Sequence, residues 1–214
     1  GFALKMPQDS LFVRTILPKT TLKNGVIDLK EASYYVKSFG IDNAELAYGP
    51  KEELFLQQIG LQLDSIYYCG KDIRANIEEF VLKERSGLEL VSTEGRIVSD
   101  SVLIEIPKFT MKTTASSLDL QTKIGWDVLE MKKTGVLSAK INAEIGKGDV
   151  AKILGGRDTL FLQTYPNKPF VFRADAEGNL NSLRLRTLEA GLAKAFELKA
   201  KGNLLYLTDS TRRG

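Results

Sequence analysis

Asp119 is followed eleven residues later by Glu130-Met131-Lys132, an order of carboxylate, carboxylate, one intervening residue and lysine. Such a set can hold a divalent metal between its carboxylates while the lysine polarises a phosphate or orients water, which is metal-assisted phosphodiester hydrolysis. Asp127 would supply a third carboxylate. Strand parity tests the idea. In a regular strand over residues 118–132, Asp119 and Asp127 face one way while Glu130 and Lys132 face the other. The set therefore assembles only if a bulge, or a turn at Ile124-Gly125, breaks the register. The acid-x-Lys spacing also recurs at Asp28-Leu29-Lys30 and Glu197-Leu198-Lys199, so the spacing alone is not specific.

Two other groups bear on chemistry. Tyr67 and Tyr68 are adjacent in an apolar stretch, so in a strand one of them faces away from the other and can stack or hold a proton. Asp209 follows the last apolar run and is flanked by Thr208, Ser210, Thr211, Arg212 and Arg213, a set suited to gripping phosphate beside one carboxylate. Lys152, in "GDVAKILGG", offers an amine. The chain has no histidine. That excludes Ser-His-Asp and Cys-His systems and His-ligated zinc, and it leaves Asp, Glu, Tyr and Lys as acids and bases. "GKGDVAKILGG" is not a phosphate loop, because glycine rather than Ser or Thr follows Lys147. "DAEGN", from Asp175, lacks the glycine and the terminal Glu of a calcium loop and reads as a hairpin turn.

Composition bounds the setting. A chain of 214 residues with 43% hydrophobic and 27% charged residues fits a single globular domain over residues 1–214. No apolar run approaches a membrane helix, and the lone Cys69 excludes an internal disulfide, so a soluble cytoplasmic protein with no membrane partner and no cofactor is expected. The net charge of +3 is modest, but residues 105–157 hold nine cations against six carboxylates. Lys108, Lys112, Lys123 and Lys140 on one face of a sheet, with Arg212 and Arg213 at the end, would suit the phosphates of double-stranded DNA.

The elements that would position these groups fall into two kinds. From Arg96 apolar and polar residues alternate with period two, most clearly at Leu137, Ala139, Ile141, Ala143 and Ile145, and an antiparallel meander follows from it. Pro107 within this stretch implies an edge or a bulge. Elsewhere the spacing predicts helices: residues 28–40 with Asp28 as N-cap, 50–60, 71–87 with Ile73, Ile77, Phe80 and Val81 as its stripe, 148–156, and 181–202 with Leu185, Leu188 and Leu192 inward. Hairpins are expected at Asn24-Gly25 and around residues 166–169. The fold class expected is α+β, a long curved antiparallel meander with helices packed on one side.

This layout, a curved sheet with a polar basic face, Tyr68 on a preceding strand and Asp209 beyond the last one, resembles the half-pipe restriction DNA glycosylases. The resemblance implies a dimer that binds duplex DNA in its sheet and excises a flipped adenine without metal, with Tyr68 and Asp209 at the reaction. Apart from the resemblance, Lys152 on the short helix after the meander offers an amine to an opened sugar. That family has a histidine three residues before its aspartate, and this chain has Tyr206 there. The residues also fit a non-catalytic binding module that holds a protein or an apolar ligand on a curved sheet, and a magnesium-dependent nuclease of the PD-(D/E)xK kind.

Overall fold

The computed structural model describes residues 13–17, 19–49, 54–132, 134–155, 157 and 159–207. Twelve strands are joined in one antiparallel sheet: β1 (Val13–Ile16), β2 (Lys19–Asp28), β3 (Ser33–Tyr48), β4 (Leu54–Cys69), β5 (Asp72–Glu84), β6 (Glu89–Ser99), β7 (Leu103–Thr113), β8 (Ser117–Gly125), β9 (Leu137–Ile145), β10 (Phe170–Gly178), β11 (Ser182–Leu192) and β12 (Phe196–Leu205). From β3 to β12 the spatial order is the sequence order, and β1 and β2 both pair with β3. The helices are short: α1 (Trp126–Leu129) between β8 and β9, then α2 (Lys147–Leu154) and α3 (Thr159–Thr164) between β9 and β10.

The expected α+β class is therefore corrected to a single open β-sheet. Residues 28–40, 50–60, 71–87 and 181–202, predicted as helices, fall mainly on β3, β4, β5, β11 and β12. Register shifts explain why their spacing looked helical. In β11, Leu183 and Leu185 share a face with Leu188, Ala190 and Leu192 because the pairing slips between Leu185 and Leu188. The extra residue stretches one interval of a period-two pattern from two to three, which imitates a helix stripe. In β5 the shift that skips Glu78 does the same for Ile77 and Phe80.

Turn chemistry was read in the right places but joined to the wrong elements. Asp28 caps, as expected, with its Oδ1 accepting from the backbone N–H groups of Lys30 and Glu31, but what it caps is the β2–β3 turn. The chain runs straight on through Asn24-Gly25 within β2, and the segment before Pro166 is α3 rather than a strand. Other expectations hold. Residues 147–154 form α2, and Pro107 sits where the register slips on both sides of β7.

Among the described residues no second layer covers this sheet. Contacts between elements join neighbours in strand order, with α1 against β8 and α2 against α3. The chain exposes 14079 Å², against roughly 9,800 Å² for a compact monomer of its mass. The few deeply buried apolar residues lie largely at turns and strand ends: Leu180 and Val128 at one end of the strands, Leu90 and Tyr165 at the other. At the second end Gly146 packs so closely on the Ala115 backbone that no side chain would fit.

Candidate ligand-binding face

Cross-strand partners point to the same side of the pleat, so the register defines each face directly. One transverse row runs Leu22, Phe39, Leu63, Ile77, Gly95, Phe109, Leu120, Ile141, Ala174, Leu188 and Ala200, crossing β2 to β12 without a polar side chain. A second row nearer the β4–β5 turn runs Ile27, Tyr34, Tyr68, Ile73, Ser99, Ile104, Ile124, Leu137, Gly178, Leu183 and Leu204. Neither row contains a charge. Between them Thr122 turns its hydroxyl to the carbonyl of Ser138 at 2.8 Å, so its polarity is spent on backbone. Ten intervals of about 4.8 Å make the face roughly 48 Å long.

Across β9, β10 and β11 its floor is small. Ala139 pairs with Ala176, while Ala143 and Ala190 flank Phe172 on either side. Alanines thus alternate with Ile141, Phe172 and Leu188 on this part of the face.

The opposite face is charged, and several of its charges are paired. A row through Arg74, Glu105, Lys123, Glu177 and Arg184 shares this side with Asp119, Arg173, Glu189 and Lys199. The register places Lys108, Lys112, Lys123 and Lys140 here as well. Lys123 meets Glu105 at 3.1 Å, Lys108 meets Glu94 at 3.8 Å, and Arg173 meets Glu189 at 3.3 Å. Exposed pairs of this kind stabilise little, about 0–1 kcal/mol each, but they lower the positive potential of the face.

The groups singled out from the sequence are not brought to one place. Tyr68 lies on the uncharged face at the β4–β5 end, 5.9 Å from the Tyr34 ring, whereas Tyr67 faces the other way under Arg74. Lys152 lies at the other end of the strands, in a polar clasp. There the carboxylate of Asp149, only 2% exposed, accepts from the hydroxyls of Thr113, Thr114 at 3.2 Å and Ser116 at 2.5 Å. Lys152 donates to Thr114 Oγ1 at 2.8 Å and stands 4.0 Å from Asp149. Ser116 Oγ also accepts the N–H of Gly146, which ties the β7–β8 turn to the start of α2. Burial pushes the Asp149 carboxyl up, but the three hydroxyls and the Lys152 charge outweigh it and hold the group below its usual range. The clasp fastens a helix to the β7–β8 turn. Asp209, Arg212 and Arg213 lie outside the described residues.

The acid-x-Lys set also separates. Asp119 lies within β8, opposite Thr110 and Asn142. Glu130 and Lys132 follow α1, where Lys132 binds Glu130 at 2.6 Å and Asp127 at 3.2 Å, and Lys71 reaches Glu130 at 3.7 Å. The hydrogen bond from Lys132 lowers the Glu130 carboxyl, and Glu130 in turn raises the Lys132 ammonium. Among the described residues no group of three His, Cys, Asp or Glu side chains is placed to hold a metal ion.

No protein-family model, curated protein or solved structure matches this chain. Among the described residues no helix is long and apolar enough to cross a membrane. What sequence reasoning missed was the role of Phe109, Leu120, Ile141, Ala174 and Leu188. Ile141 read as the covered side of the meander and Leu188 as part of a helix lying on it, so the row read as buried.

Proposed function

We propose that this chain is a non-catalytic binding module that holds an elongated apolar ligand on the uncharged face of its sheet. The observation that carries this reading is the central row from Leu22 to Ala200, eleven strands wide and without a charge, on a face that no other element covers among the described residues. Apolar surfaces beyond a few hundred Å² on a monomer mark binding sites. The alanine floor favours a slender ligand over a second sheet, since packed sheets fill the space between them with interdigitating large side chains. About ten methylene groups buried there, at roughly 0.8 kcal/mol each, set an upper bound near −8 kcal/mol, a Kd of micromolar order.

The paired charges of the opposite face support duplex DNA less well, because Lys108 and Lys123 already face carboxylates.

The test is uptake of cis-parinaric acid, read by its fluorescence. Saturable micromolar binding is expected in the parent chain, loss in Ile141→Glu, and loss in Ala143→Phe, which fills the proposed channel beside Ile141 without adding charge. Lys123→Gln should bind as the parent does. Absence of uptake, or uptake indifferent to both channel variants, overturns the reading. A dimer by light scattering that takes up no parinarate would replace it with sheet-to-sheet pairing.

A further inference from the structure

A concavity lies at the end of the β10–β11–β12 ribbon, where the chain turns through Ala193, Lys194 and Ala195, with Val171, Arg173, Glu189, Gly191 and Lys199 of the charged face in its lining. It has a volume of about 590 Å³, within the range of roughly 300–1,000 Å³ usual for small-molecule pockets. Gly191 forms its floor: it lies between Val171 and Glu197 in the cross-strand row, so the row lacks a side chain at its centre. A Cβ built there would come no closer than 3.5 Å to its nearest neighbour, the Phe196 carbonyl, so the space above Gly191 is open.

The lining divides by chemistry. Pro169, Val171, Ala193 and Ala195 give apolar walls. Arg173 and Lys199 are engaged by Glu189 at 3.3 Å and Glu197 at 2.6 Å, which fixes two ion pairs along one side. Lys168 and Lys194 also line the cavity, and among the described residues neither takes part in an ion pair. The two carboxylates are thus already neutralised, and two cations remain for a ligand.

We propose that this cavity is a binding site for a small amphiphilic anion. Its flat apolar body lies over Gly191 between Val171 and the 193–195 turn, and its carboxylate is held by Lys168 and Lys194. Ala190, Leu192, Phe196 and Leu198, which the register assigns to the uncharged face, also border the cavity, but the proposal does not rest on the reading given to that face. Lys194 has φ +66, a left-handed conformation that asparagine tolerates better than most side chains, so Lys194→Asn removes the charge without straining the turn.

The probe is 2-naphthoate, followed by amide chemical shifts, with 2-naphthylmethanol as the uncharged counterpart. Naphthoate should shift the amides of Gly191 and of residues 193–197 and leave those of Ile141 and Ala174 in place. Loss of a charge-assisted contact in Lys194→Asn or Lys168→Gln should weaken binding roughly tenfold or more. Gly191→Leu, which fills the floor, should abolish it, and the alcohol should bind weakly or not at all. Equal binding of the alcohol, shifts confined to the channel, no shifts, or lysine variants that bind as the parent does would each overturn the proposal.

Discussion

At the scale of single residues the most constrained group is Asp149. Its carboxylate collects three hydroxyl donors from the β7–β8 turn, and removing it leaves Thr114 and Ser116 without this acceptor and Thr113 with the Ser116 carbonyl alone. Asp149→Ala is expected to cost about 3 kcal/mol, measured by chemical denaturation. The pH dependence follows from the lowered carboxyl. A group whose folded value lies below its unfolded value of about 3.9 contributes stability above that pH, and the contribution is lost as pH falls through the folded value. Between pH 5 and pH 2 the parent should therefore lose more stability than Asp149→Asn, and equal slopes in the two proteins would refute the assignment. Part of this was legible in the sequence: a short helix over residues 148–156 was expected and residues 147–154 form one, with Gly146 rather than Asp149 at its N-cap. The partners of Asp149 were not, because hydroxyls some thirty-five residues away meet it only after β8 and β9 have paired.

At the scale of elements, the strands over residues 96–145 were legible because their alternation is long and almost unbroken, whereas β5 and β11 were read as helices because each contains an extra residue. A bulge preserves which face a side chain occupies while altering its spacing in sequence, and spacing is all that a periodicity argument sees. The candidate face suffered in the same way: once β11 was read as a helix, Leu188 became part of a covering layer instead of part of the surface to be covered. The extra residue in β11 can be tested directly. Deleting Arg186 removes it, so that Leu188, Ala190 and Leu192 must either turn to the charged face or break their pairing with β10 and β12. A loss of roughly 2–4 kcal/mol in unfolding free energy is expected. Substituting Arg186 by alanine, which keeps the residue count, should cost well under half of that; similar losses in the two variants would show that the ion pair with Glu177, and not the count, matters at this position.

For the whole molecule, the absence of a second layer changes how stability is distributed. In a sandwich each strand is held by its sheet neighbours and by the facing sheet, and the two together make unfolding all-or-none. Here each strand from β4 to β11 is held chiefly by the two beside it, β12 is held by one, and β2 pairs only with β3. Every residue of β2 and of β12 is exposed. Such an arrangement approximates a one-dimensional chain of interfaces, in which opening an end strand breaks one interface while opening a central strand breaks two. Amide hydrogen exchange should therefore report a gradient, with fast exchange in β2 and β12, intermediate protection in β10 and β11, and the slowest amides in β6, β7 and β8, away from both ends. A ligand lying along the uncharged face would cross many of these interfaces at once. Saturation with parinarate should then slow exchange across β4 to β11 together, steepening protection where the protein alone is weak, and a single exchange free energy shared by all strands without ligand would mean that the sheet is held by something other than its neighbours.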